Sequence, residues 1–177
     1  PRLPGAWRRL SRARASAAVP VGTAGDGISP ASAEGVRGTR SIPALTAYFR
    51  AHEALVAWQL DSAETLFQSA IDLDPSYPHA NFWLAQVMEW RGEDASQWLA
   101  SARQATLLSA RLSHTDSALA GALFALANGE YGDACNRYRQ LSLGKDSLNF
   151  AVWYGLGDCR CRATGVVKSA ARPPGWG

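Results

Sequence analysis

No run of about 18 uncharged apolar residues occurs in this chain, so no membrane-spanning helix is expected. Cysteine is scarce. Cys135, Cys159 and Cys161 are the only three, an odd count that gives no disulfide framework and fits a reducing compartment. Cys135 reads as a packed thiol within a helix.

Catalytic signatures are equally thin. HEALV, from His52 to Val56, starts like a metalloprotease helix but lacks the second His four residues on. GTAGDG, from Gly22 to Gly27, has no Lys-Ser or Lys-Thr to complete a phosphate loop. GLGDCR has two glycines without a third and follows no strand, so Gly155 and Gly157 read as close-packing positions. Cys159-Arg160-Cys161 has no second Cys or His pair to close a four-ligand metal site. His79 and His114 stand near helix starts with no Ser or Cys nucleophile beside them in the pattern. A kinase would need a Gly-rich loop with its Lys, HRD and DFG, and none is present. The expectation is a non-enzyme with no catalytic residue, no cofactor and no metal site.

What the chain does have is a folded-looking middle between two basic flanks. Residues 1–40 hold seven arginines against Asp26 and Glu34, and residues 159–177 hold four cations and no acid. Residues 41–158 carry seven basic and thirteen acidic groups, a net of −6. The overall +3 is therefore a poor guide to nucleic acid, because a surface that tracks phosphates needs its cations on the folded body. The first 40 residues are rich in Arg, Ala, Gly, Ser and Pro and are expected to be a disordered basic leader. Within them RRLSRARASAA resembles an organelle transit peptide. Residues 159–177, with three glycines after Cys161 and a Pro-Pro pair, are expected to be a disordered basic tail.

From Ser41 the spacing turns helical. Ser41 is a candidate N-cap with Pro43 in the first turn. Ala63, Phe67 and Ala70 line one helix face, which Asp74-Pro75 ends, since Pro disfavours α geometry in the residue before it. A new helix starts at Pro78 and runs to Gly92. Ser113 or Thr115 caps another through Ala127, and Asn128-Gly129 breaks it. The Ala63/Phe67/Ala70 face recurs as Trp98/Ala102/Ala105 and as Ala134/Tyr138/Leu141, roughly every 35 residues. The unit is a helical hairpin. Small residues let its two helices approach, and the ring fills the gap to the next hairpin. One hairpin alone leaves that ring exposed, so the units must stack.

AETLFQSAIDLDP resembles the second helix of the tetratricopeptide repeat in full: a small residue, a ring four later, then a small residue three after that and a closing Pro. GEYGDACNRYRQL resembles it in all but the small third residue and the Pro. FAVWYGLGDC places Trp153, Leu156 and Gly157 at the spacing of that family's first helix, and its second helix is missing. Trp98 stands where the family has a small residue, with Ala102 compensating in the ring position. The resemblance implies an all-α fold, antiparallel hairpins stacked as a right-handed α-solenoid over residues 41–158. More narrowly, TRSIPALTAYFRAHEAL and RLSHTDSALAGALFALANGEYGDACNRYRQL are similar to the repeat regions of large bacterial regulators, in which a cytoplasmic Ser/Thr protein kinase, or sometimes a transcription-factor or cyclase domain, precedes the repeats. On that likeness the chain is a fragment, the cytoplasm is its expected place, and any catalytic domain lies outside these residues.

The resemblance also implies a groove lined by the first helix of each pair. Tyr48, His52, Phe82, Gln86, Glu89, Leu119 and Leu123 are expected to face it. Relatives that clamp a C-terminal carboxylate use Lys and Asn there. The acidic body suits a basic or apolar protein or peptide partner instead. No nucleic-acid partner is expected, and the uncovered last half-repeat, with Trp153 and Tyr154, points to self-association.

Overall fold

The structure, a computed structural model, describes residues 38–163. Among these residues there are seven α-helices, one 3-10 turn and no strand. In chain order they are α1 (Ile42–Val56), α2 (Leu60–Leu73), α3 (Pro78–Trp90), α4 (Ala95–Leu107), the 3-10 turn Ser109–Arg111, α5 (His114–Ala127), α6 (Tyr131–Ser142) and α7 (Phe150–Ala163). Each helix packs against the next. α3 also touches α5, and α5 touches α7, so the odd-numbered helices share one layer. Short connections make successive helices antiparallel neighbours. None of the helices is long and apolar enough to cross a membrane. The all-helical class expected from the sequence is what is seen, with consecutive packing compatible with a helical repeat.

Local sequence explains the helix ends. The Ser41 hydroxyl accepts the Ala44 N–H at 3.2 Å, with Pro in the first turn of α1. Of the two candidate caps for α5, Ser113 does the work, accepting the Asp116 N–H at 3.0 Å, while Thr115 donates to Asp146 instead. Asp74 ends α2 in an extended conformation before Pro75.

The turns after α1, α3 and α5 are one motif repeated three times. Each closes with a left-handed residue whose successor reaches back across the helix end, as in Gln59 N to Ala54 O, Glu93 N to Met88 O and Glu130 N to Ala125 O. Gly92 and Gly129 hold that residue at φ +78° without cost. In the first turn the residue is Trp58, at φ 56°, the one non-glycine with positive φ among the described residues.

The recurring face is interior at all nine positions. Phe67, Trp98 and Tyr138 are among the largest fully buried side chains, with Ala63, Ala70, Ala102, Ala105 and Ala134 completely buried beside them and Leu141 at the edge. Three apolar clusters follow one another along the chain. One joins α1 to Tyr77 and Ala80, one joins α1, α2 and α3 around Phe67, and the largest runs from Phe82 to Cys159.

Two expectations about the end of the chain need correction. α7 continues to Ala163, so residues 159–163 are helix rather than tail. Arg162 on Asp158, an i,i+4 ion pair at 2.6 Å, supports that last turn. Cys135 and Cys159 are bonded to each other rather than free, with Cα atoms 5.5 Å apart, and only Cys161 is a free, exposed thiol. The bond ties α6 to α7 and removes Cys159 from any metal pair with Cys161. At the other end Gly38 to Arg40 belong to the folded part: Thr39 is buried and its hydroxyl donates to Asp74. The rest of the basic leader, with the transit-peptide-like stretch and GTAGDG, and residues 164–177 of the tail lie outside the described residues.

The two glycines read as close-packing positions differ. A Cβ on Gly157 would meet open space. On Gly155 it would lie 2.2 Å from Cζ and 2.4 Å from Cε1 of Tyr138. Tyr138 is fully buried and cannot yield. Gly155→Ala is expected to cost roughly 1–3 kcal/mol despite the better helix propensity of Ala. Thermal melting of the variant checks this, and an unchanged midpoint would place α7 elsewhere.

Candidate functional site

The left-handed turn at Trp58 is where the surface departs from the repeat. An L side chain there costs roughly 1–2 kcal/mol that Gly would not, and such outliers cluster at functional sites. The turn projects the indole outward, 55% exposed, where it stacks on Trp90 at 5.5 Å and 27°. Trp90 closes α3 and also meets two rings from α7, Phe150 at 5.4 Å and Tyr154 at 6.2 Å. Phe150 touches Trp58 at 5.8 Å. Four rings from three separate parts of the chain thus form one cup.

The cup continues as a strip. Trp83 lies 6.2 Å from Trp90, two turns back along α3, and His52 on α1 lies 5.0 Å from Trp83. Tyr48 follows at 4.6 Å from His52, and its hydroxyl pairs with His52 Nε2 at 2.8 Å. Tyr48, His52, Trp83 and Trp90 are half-buried, while Trp58, Phe150 and Tyr154 are exposed. Burial holds His52 and His79 below the ordinary histidine range despite the opposing field of Asp116. Burial likewise pushes the Tyr48 phenol up. The strip is therefore neutral at physiological pH.

Beneath the cup lies a buried polar group of residues joining α3, α6 and α7. Gln86 donates its amide to Glu89 at 2.9 Å, while Gln86 Oε1, Glu89 Oε1, Trp90 Nε1 and the Tyr138 hydroxyl have no partner. Burial raises Glu89 to about 8, and contact with the Asp158 carboxylate adds to the shift. A protonated Glu89 can donate to Asp158, which an ionised one cannot.

Outside this layer, Arg91 faces three carboxylates: Asp61 at 3.2 Å, Glu93 at 3.4 Å and Glu64. Arg91 and Asp61 also line, with Trp58, Gln59, Leu60 and Ser62, a hollow of about 460 Å³.

Of the seven residues expected to line a groove, the structure brings only Tyr48 and His52 to the strip. Phe82, Leu119 and Leu123 are fully buried core side chains, and Gln86 and Glu89 are interior polar groups. They offer no surface to a partner. The physical reason is register. One residue along a helix is a rotation of about 100°, and the open stripe of α3 is Trp83 and Trp90 rather than Phe82, Gln86 and Glu89. The seven-residue spacing of those two Trp was a usable signal, as was the four-residue spacing of Phe150 and Tyr154. Trp58 had a fainter one, since it falls where the later hairpins have Gly92 and Gly129.

Of the other histidines, His79 has a buried Nδ1 without a partner, and its ring meets Tyr48 at 6.2 Å. His114 lines a separate hollow of about 370 Å³ between α5 and α6 with Arg137, Gln140 and Lys145. Among the described residues no three His, Cys, Asp or Glu side chains come together as a metal would need.

Compared with family models, with curated proteins and with solved structures, this chain matches none.

Proposed function

We propose that this chain is a non-catalytic scaffold of the tetratricopeptide-repeat kind, its hairpins stacked as a right-handed solenoid. It binds a peptide along the ring-lined face of α1, α3 and α7. The observation that carries this reading is the unbroken row of rings from Tyr48 through His52, Trp83 and Trp90 to Phe150 and Tyr154. A core has no need to leave such rings half-open, and contiguous exposed apolar surface marks interaction sites. Aromatic side chains give large contact area at low entropic cost, which suits them to anchoring a partner. The Cys135–Cys159 bond favours an oxidising compartment over the cytoplasm.

Selection from a random peptide display library against the full chain tests the reading. Peptides should be enriched, and Phe150→Ala, which removes a ring 54% exposed, should weaken them about tenfold with the melting point almost unmoved. Enrichment of nothing, or of peptides indifferent to Phe150→Ala, would remove the strip from the proposal. Self-association through the same rings would show instead as concentration-dependent mass in sedimentation.

A further inference from the structure

We propose that the cup of Trp58, Trp90, Phe150 and Tyr154 takes an arginine side chain of the bound peptide. The inference rests on the scaffold reading and adds the chemistry of the residue that anchors there.

Three observations carry it. First, the four rings leave open faces. Trp58 is 55% and Phe150 54% exposed, and the near-parallel Trp58–Trp90 pair offers a flat outer surface. A planar guanidinium stacks on such a face and is drawn to its negative π-cloud. Second, among the described residues the surroundings hold more carboxylate than cation. Asp61, Glu64 and Glu93 share the single Arg91, and Asp61 keeps 90% of its side chain exposed with that one contact. On α7, two turns beyond Tyr154, Arg162 is matched by Asp158. The charge a partner brings here is met by unspent acceptors rather than by repulsion. Third, the hollow beside Trp58 is lined by Asp61 and runs to Arg91, which places acceptor oxygens at the edge of the stacking surface.

Both parts of the site favour Arg over Lys. Lysine brings three donors on a compact, strongly hydrated ammonium. Arginine brings five in a rigid fork and a plane that stacks. An acidic peptide meets the wrong sign, and a purely apolar one leaves the rim carboxylates without gain.

Trp58→Gly is the decisive variant because it separates binding from folding. It deletes the ring while giving the left-handed turn the residue used in the two later hairpins, so the melting point should hold or rise. The probes are N-acetylated, C-amidated tetra-arginine, tetra-lysine and tetra-citrulline peptides, titrated into the full chain by calorimetry and tryptophan fluorescence at low and physiological salt. Tetra-arginine should bind about tenfold tighter than tetra-lysine, tetra-citrulline should not bind, and Trp58→Gly should abolish the Arg-over-Lys preference. Equal affinity for the two cationic peptides, indifferent to Trp58→Gly, would reduce the effect to general attraction by an acidic body and overturn the proposal. Failure of tetra-arginine while the display library still yields Phe150-dependent peptides would sink this inference and leave the scaffold. Failure of both would take the scaffold with it.

Discussion

Replacing Phe67 by Ala should cost roughly 3–5 kcal/mol and leave little of the helical signal at physiological temperature. Phe67 is fully buried where α1, α2 and α3 meet, in a cluster with Ala51, Ala54, Leu55, Ala63, Leu84 and Val87. Its ring also meets Tyr48 at 5.7 Å and His52 at 5.5 Å. The neighbours cannot close the cavity. Ala51, Ala54 and Ala63 are too short to swing inward, and the larger side chains belong to helices fixed by their own contacts. Domains of this size are stable by about 5–15 kcal/mol, so the loss approaches the whole. Urea unfolding followed by far-ultraviolet circular dichroism measures it, and near-native stability of Phe67→Ala would mean that the recurring face does not hold the hairpins together.

The second large effect is one of pH. Glu89 keeps its proton in the fold up to about 8, whereas in the unfolded chain it ionises near 4.5. Between those values the folded state binds the extra proton, so this group's contribution falls as pH rises and is gone above about 8. His52 and His79 run the other way. Their lowered values mean that stability is lost as pH falls below the ordinary histidine range. The histidine contribution is common to the native chain and to Glu89→Gln, so from pH 6.5 upward the difference between the two chains isolates Glu89. Raising the pH from there through the Glu89 transition should remove about 2 kcal/mol from the native chain relative to Glu89→Gln. In Glu89→Gln the fall in stability with rising pH should be absent, because the amide reproduces the protonated acid, accepting from Gln86 and donating to Asp158. Chemical denaturation of both chains across that window decides the matter. A native slope that persists in Glu89→Gln would place the titrating group elsewhere.

Much of the fold could be read from the residues. Small side chains four before and three after a ring mark the face of α2, and a small one four before a ring marks that of α6. Pro75 and Pro78 bracket one loop, and Gly92 and Gly129 close two hairpins. These are local signals, set by helix periodicity and backbone conformation, and they do not depend on what lies across the interface. The candidate site was less legible because it is made by juxtaposition. Trp58, Trp90 and Phe150 are far apart in sequence and meet only once α7 returns to the ends of α1 and α3. Assigning Phe82, Gln86 and Glu89 to the open face missed by one helical position, since every side of α3 carries apolar or aromatic residues and its pattern does not single out one stripe. The Cys135–Cys159 pairing was invisible for a similar reason: the two positions sit 24 residues apart on different helices, and nothing in the spacing shows that Gly155 lets α7 come so near Tyr138.

That covalent tie changes how the stack should come apart. In an array of helical pairs the terminal unit, supported on one side only, is ordinarily the first to fray. Here the last described helix, α7, is moored to α6, and closing a loop of this length removes about 3 kcal/mol worth of freedom from the opened state. Among the described helices the weak end is thereby shifted toward α1, and the rings that α7 contributes stay in place when the α1 end breathes.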